Sequence, residues 1–113
     1  MAKLDDGERE FFRLEFPAGG RPKLEIDGKK YQVSELSEEG ARILYSAKKD
    51  IDFPQSFQGT IRYENGESDA VSGSAIRPEG NELVLQLDSG ISFSRMLNLQ
   101  IWLKKKYPLL FDD

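Results

Sequence analysis

The sequence predicts one small all-β domain, either a sandwich or a barrel, followed by a C-terminal helix. Three observations lead to this fold class. The chain has 113 residues, which is the usual size of a single domain. Short segments that alternate apolar and polar residues recur along the chain, with turn signals between them at intervals of roughly 8–12 residues. After Gly90 the apolar residues recur at helical spacings instead.

The start of the chain differs from the rest in composition. Residues 1–10 carry many charges and few apolar groups, and residues 1–12 are therefore predicted to be a flexible N-terminal arm. The start lacks the apolar core of a secretory signal, and no later stretch approaches the roughly 18 apolar residues of a membrane span. We therefore expect a cytoplasmic protein without membrane insertion.

The predicted strands follow from the alternation and the turn residues. Residues 13–16 alternate polar and apolar, and Pro17 ends this strand. Residues 23–26 and 31–34 flank Asp27-Gly28, a pair suited to a tight hairpin turn with positive φ. The remaining predicted strands are residues 41–45, 57–63, 70–76 and 83–87, with a reversal at 64–66 and a break at 78–81.

The C-terminal helix is predicted to begin at Ser92 or Ser94 as N-cap and to end before Pro108. The domain is thus expected to span residues 13–108, with a tail at 109–113. The apolar sector of this helix is wider than one buried face needs. It is therefore expected to close an open end of the barrel and to present Leu99 or Trp102 to a partner protein. A helix that simply packs on its own sheet is the simpler interpretation.

Composition excludes several kinds of chemistry. The chain contains no Cys and no His, which excludes disulfides, thiolate nucleophiles, imidazole bases and nearly every common zinc site. No motif orients a carboxylate pair or a Ser-Lys dyad, so no enzyme activity and no cofactor are expected. The net charge of −4 argues against DNA as a partner. A binder of single-stranded nucleic acid is disfavoured for the same reason, and because aromatic residues do not alternate with basic ones.

Two short motifs stand out from this background. The first is Arg9-x-x-x-Arg13, where the predicted arm meets the first strand. The second is Glu35-x-Ser37-x-x-Gly40, at the end of the hairpin. In order and spacing they resemble the PilZ domain, a bacterial receptor for cyclic di-GMP, although that family usually has Asp or Asn where this chain has Glu35. The resemblance extends over nearly the whole chain, and it implies a six-stranded antiparallel barrel with a C-terminal helix.

The resemblance also implies a role for each motif residue. Arg9 and Arg13 would hold a phosphate or a guanine edge, because the guanidinium fork can make two parallel hydrogen bonds to either. Glu35 would accept hydrogen bonds from guanine N–H groups. Ser37 would bind the ligand or fix the turn, and Gly40 would allow close backbone approach or take positive φ. Nucleotide binding would order the arm and signal to an unidentified effector protein that controls motility, biofilm or exopolysaccharide.

Each of these residues also has a simpler interpretation. Both arginines suit solvated surface positions, as does Arg77. Ser37 and Gly40 suit ordinary turn chemistry, and Glu35 suits an exposed loop. A second hypothesis therefore remains open, in which the chain is a PilZ-like interaction module that has lost nucleotide binding. The Glu35 substitution favours this second hypothesis.

Overall fold

The computed structural model describes residues 13–110, so the predicted arm at residues 1–12, with Arg9, lies outside the described residues. Seven strands and one α-helix form within this range. Their bounds are β1 (Arg13–Glu15), β2 (Lys23–Ile26), β3 (Lys29–Ser37), β4 (Gly40–Leu44), β5 (Ser56–Arg62), β6 (Ser68–Glu79), β7 (Glu82–Ser89) and α1 (Phe93–Lys106).

Six of the strands close into an antiparallel barrel. Hydrogen-bonded neighbours run in the order β3-β2-β5-β6-β7-β4, and the additional pairing of β4 with β3 closes the ring. Strand β1 lies outside the ring, where its three residues pair with the end of β3. The prediction of an all-β, six-stranded antiparallel barrel with one C-terminal helix is confirmed.

The turn residues behave as their chemistry predicts. Asp27 and Gly28 have φ values of 49° and 86° between β2 and β3, as a tight hairpin turn with two left-handed residues requires. The predicted break at 78–81 is partly wrong, since β6 continues through Pro78 to Glu79. The last β6 residue paired with β5 is Ser74, so Pro78 occupies an edge position, where its missing N–H does no harm.

Apolar side chains from all seven strands and from α1 form one hydrophobic core. Met96, Leu99 and Leu103 of the helix are at most 1% exposed and belong to the same core cluster as the strands. The Ser92 hydroxyl accepts a hydrogen bond from the Arg95 amide at 3.0 Å, so Ser92 rather than Ser94 is the N-cap.

The helix residues that are exposed differ from those expected. Leu99 is buried, so the prediction that it contacts a partner is wrong. Trp102 is half-buried, and its ring centroid lies 6.5 Å from that of Tyr107. The exposed large apolar side chains of α1 are instead Phe93, Leu97 and Ile101, and Leu109 and Leu110 are exposed in the short 3₁₀ turn after it. No helix among residues 13–110 has both the length and the apolar character to cross a membrane.

A polar cluster fixes the start of α1 to the β5–β6 end of the barrel. Arg95 donates through Nε and Nη2 to the Asp69 carboxylate at 2.9 and 3.3 Å. Tyr63, only 5% exposed, donates its phenol proton to Asp69 Oδ2 at 2.8 Å, and the Arg95 guanidinium lies 5.4 Å above its ring. The first turn contains no acidic residue, so Asp69 supplies the negative charge that this cationic helix start requires.

Candidate functional site

The turn between β3 and β4 carries the second sequence motif. Ser37 is the last residue of β3, and its hydroxyl donates to the Gly40 carbonyl at 3.4 Å. Gly40 begins β4, and a Cβ there would lie 3.3 Å from the Leu85 carbonyl oxygen. Positive φ among the described glycines occurs at residues 28, 66 and 80. Gly40 thus favours a close backbone approach to Leu85, and the alternative prediction of positive φ there is wrong.

This turn is fixed to the segment that leads into α1. The Leu87 amide donates to the Glu39 carbonyl at 2.8 Å, and the Ile91 amide donates to the Glu38 carbonyl at 3.3 Å. A Cβ at Gly90 would collide with the Glu38 carbonyl oxygen. These contacts connect the motif directly to the start of the helix.

A β-bulge at Ser34 determines which side chains of β3 face outward. Val33 pairs with Ile43 and Glu35 pairs with Arg42, so β3 has one extra residue at this point. Val33 and Leu36 are both fully buried, which reverses the alternation after the bulge and turns Glu35 outward. Bulges commonly re-aim a side chain in this way beside functional sites.

The outward-facing residues of β3 and β4 line a cleft of about 180 Å³. Four of the five residues predicted from the sequence meet there, namely Arg13, Glu35, Ser37 and Gly40. The fifth, Arg9, lies outside the described residues. Arg13 approaches because β1 pairs with the end of β3, with Arg13 opposite Ser37 and Glu15 opposite Glu35. The closest approach of the Arg13 and Glu35 side chains is 3.8 Å, from Nη1 to Oε2.

Two further arginines line the cleft. Arg42 follows Gly40 by two residues on β4, and strand alternation alone would have placed it on the same face. The sequence leaves two interpretations for Arg77, a surface charge or a further contact to the same ligand. Its side chain is indeed 59% exposed, but it borders the cleft and donates from Nε to Glu79 at 2.7 Å.

Arg42 is the centre of an ionic network. Its Nε lies 3.1 Å from Glu35 Oε1, and its Nη1 lies 2.8 Å from Glu79 and 3.7 Å from Glu82. The hydrogen bond to Glu79 is the largest of the effects that raise the pKa of Arg42. Hydrogen bonds from Arg42 and then Arg77 lower the pKa of Glu79. Both partners therefore remain charged across the physiological range.

The formal charges around the cleft balance one another. Arg13, Arg42 and Arg77 stand against Glu35, Glu79 and Glu82. Within residues 13–110, no group of three or more carboxylates could hold a metal ion. The arrangement suits recognition of a ligand that offers both acceptors and donors, because guanidinium and carboxylate groups are available side by side.

Comparisons with known proteins concern the fold. None of the known family models matches this chain, and none of the curated proteins does. The crystal structure of an uncharacterized Legionella protein, Lpg0364, is similar, with a TM-score of 0.57. The similarity covers 84% of this chain and 92% of that one at 21% sequence identity. At this identity the likeness shows a shared fold and carries nothing about function.

Proposed function

We propose that this protein is a cyclic di-GMP receptor of the PilZ type, with its ligand site at the cleft between β1, β3 and β4. One observation carries the proposal. Arg13 and the motif of Glu35, Ser37 and Gly40 lie more than 20 residues apart in sequence and line the same cleft. A coincidental pair of surface motifs has no reason to meet in this way.

The side chains in the cleft offer the contacts that a guanine nucleotide needs. The Arg13 side chain is 66% exposed, and its separation of 3.8 Å from Glu35 is too long for a strong hydrogen bond. Arg13 is therefore free to turn towards guanine O6 and N7 or towards a phosphate. The Glu35 carboxylate would then accept hydrogen bonds from the guanine N–H groups.

The turn between β3 and β4 contributes the Ser37 hydroxyl and the Gly40 backbone to the proposed site. The Ser37 hydroxyl donates to the Gly40 carbonyl, and its oxygen lone pairs remain able to accept a hydrogen bond from the ligand. Gly40 keeps the backbone open where a side chain would press against the Leu85 carbonyl. Arg9 precedes Arg13 by four residues and would contribute a second guanidinium from the N-terminal segment.

Binding of the nucleotide would be passed on to an effector protein. The Glu38 and Glu39 carbonyls of the site turn accept hydrogen bonds from the residues before α1. A ligand that shifts this turn would therefore act on the start of the helix, since packed elements move as units. We expect the effector to control motility, biofilm or exopolysaccharide, as the resemblance implies.

Isothermal titration calorimetry with cyclic di-GMP at physiological salt tests the proposal. The wild-type chain should give saturable heat, and Arg13→Ala should weaken binding by about tenfold or more, because a charge-assisted hydrogen bond is lost. Arg62→Ala is the matched control, since Arg62 is an exposed strand arginine paired with Glu25 away from the cleft. Absence of heat from the wild type, or equal affinity of Arg13→Ala and wild type, would overturn the proposal.

A second candidate function is an interaction module that does not bind nucleotide. The exposed apolar side chains of Leu97, Ile101, Leu109 and Leu110 favour it, as does the Glu35 substitution. Titration of Glu35→Asp separates the two functions. Binding by Glu35→Asp but not by the wild type would indicate a module that has lost its ligand, whereas binding by the wild type supports the receptor.

A further inference from the structure

A groove of about 480 Å³ lies beside the cleft and shares Arg13, Glu35 and Arg42 with it. The cleft alone is smaller than the range of roughly 300–1,000 Å³ that is usual for ligand pockets. A cyclic dinucleotide seated in the cleft must therefore extend beyond it. The groove is the adjoining space, because the three shared side chains stand between the two.

One arginine in this groove has no ionic partner among residues 13–110. Arg21 enters the groove from the segment before β2 and donates from Nη1 to Gln32 at 3.4 Å. Its Nε is buried and has no hydrogen-bond acceptor within residues 13–110. Each other arginine in that part of the chain forms an ion pair with a carboxylate, and Arg21 forms none. A buried N–H donor without an acceptor is unfavourable, and rotation of the Arg21 side chain towards a ligand oxygen in the groove would remove this cost.

The second cation of the groove, Arg42, is held by carboxylates. Its Nε lies 3.1 Å from Glu35, the carboxylate expected to turn towards guanine. If Glu35 turns to the base, the Nε–H of Arg42 is left for another acceptor. A phosphate is the natural one, because guanidinium groups bind phosphate through two parallel hydrogen bonds.

The groove contains as many carboxylates as arginines, so it would bind an anion through specific contacts rather than through an excess of positive charge. Its cations are Arg13, Arg21 and Arg42, and its carboxylates are Glu15, Glu35 and Glu82. With no excess of positive charge, the groove does not concentrate anions through its field. Affinity for a phosphate must come from directed hydrogen bonds, and the guanidinium of Arg21, which lines the groove and pairs with no carboxylate of residues 13–110, is the clearest source.

We propose that Arg21 and Arg42 form the phosphate subsite of this protein, so that a guanine occupies the cleft and the phosphodiester lies in the groove. The inference rests on the proposed function, because it assigns the two parts of the same ligand. Neither arginine belongs to the two sequence motifs.

The arginine Nε–Hε signals of the ¹⁵N-labelled full chain report on the subsite directly. We expect the Arg21 and Arg42 signals, assigned with the corresponding Gln variants, to shift on titration with cyclic di-GMP and with inorganic pyrophosphate. The Arg62 signal should stay in place. Unmoved Arg21 and Arg42 signals, in a chain whose calorimetry shows cyclic di-GMP binding, would overturn the inference and leave the proposed function standing.

The converse result separates the two proposals. Movement of both signals with pyrophosphate, in a chain that gives no heat with cyclic di-GMP, would support the phosphate subsite and refute the proposed function. If neither cyclic di-GMP nor pyrophosphate shifts these signals, and cyclic di-GMP gives no heat, both proposals are refuted.

Affinities of variants give a second measurement. Arg21→Gln should weaken cyclic di-GMP binding about tenfold or more and leave the weaker binding of guanosine, which has no phosphate, unchanged. Arg62→Gln makes the same charge change outside the groove and should alter neither affinity. Equal losses for guanosine and cyclic di-GMP in Arg21→Gln would show a general structural effect and overturn the assignment.

Discussion

Replacement of Tyr63 by Phe should change how the stability of the protein depends on pH. The Tyr63 side chain is 5% exposed and donates to Asp69. Burial, followed by the hydrogen bond and the charge of Asp69, raises the pKa of Tyr63 above its ordinary value of 10. The folded protein therefore keeps the phenol proton above pH 10, while the unfolded chain loses it.

The sign and size of the effect follow from this difference. Above pH 10 the unfolded state binds fewer protons than the folded state, so the free energy of unfolding falls as the pH rises. The slope approaches about 1.4 kcal/mol per pH unit, and the loss through Tyr63 between pH 9 and pH 11 is about 1.4 kcal/mol. Phe cannot ionise, so Tyr63→Phe lacks this component.

Urea denaturation of both proteins at pH 9 and pH 11 measures the difference. At pH 9 the variant should be about 0.5–1.5 kcal/mol less stable, because one hydrogen bond is lost while Arg95 still pairs with Asp69. Tyr31, whose pKa burial also raises, contributes equally to both proteins. The wild type should lose about 1.4 kcal/mol more than the variant between the two pH values. Equal losses would mean that Tyr63 ionises as readily in the folded state, and would refute this account of its burial.

Two further predictions concern packing. Gly73→Ala should lower the free energy of unfolding by about 3 kcal/mol, because a Cβ at this position collides with the Gln86 carbonyl oxygen. Gly19→Ala is the control, since a Cβ there lies 3.4 Å from the nearest atom. Chemical denaturation of both variants should show little change in stability for Gly19→Ala. Leu99→Ala should cost about 2–5 kcal/mol, as for other fully buried leucines, whereas Ile101→Ala, at a site 53% exposed, should stay within about 0.5 kcal/mol. Similar thermal and urea midpoints for these two helix variants would contradict the burial of Leu99.

The features predicted best from the sequence depend on residues that are close together along the chain. Asp27-Gly28 forms a left-handed turn because few residue types tolerate positive φ, and Ser92 caps α1 because its hydroxyl reaches an amide three residues on. The helix face was harder to predict. Leu97, Leu99 and Ile101 are all apolar, and only the docking angle of α1 on the barrel decides which of them is buried.

The β3 strand shows why alternation alone was insufficient. Tyr31 and Val33 alternate inward as predicted, and an unbroken strand would have turned Glu35 inward as well. The extra residue at Ser34 reverses this parity, and its buried hydroxyl donates to Glu82 at 2.7 Å. The partner that makes the bulge favourable lies 48 residues away in sequence, beyond the reach of any local pattern.

The candidate site was predicted to the extent that its residues form motifs. Arg13, Glu35, Ser37 and Gly40 were recognised by spacing, and they line one cleft. Arg21 and Arg42 lie outside both motifs, and their relevance depends on which carboxylates the fold places beside them. Strand alternation places Arg42 on the same face as Gly40, but no sequence pattern shows which charged groups the fold brings beside Arg42 or Arg21.

The position of β1 outside the closed ring has a consequence for local opening. All six barrel strands keep two neighbours without β1, which adds three residue pairs and one buried side chain, Leu14. Detachment of β1 therefore costs only its own contacts and leaves the global unfolding equilibrium of the barrel untouched. Since Arg13 is the first residue of this strand, a ligand that holds Arg13 would also hold β1 on the barrel, and part of the binding free energy would be used to keep β1 attached.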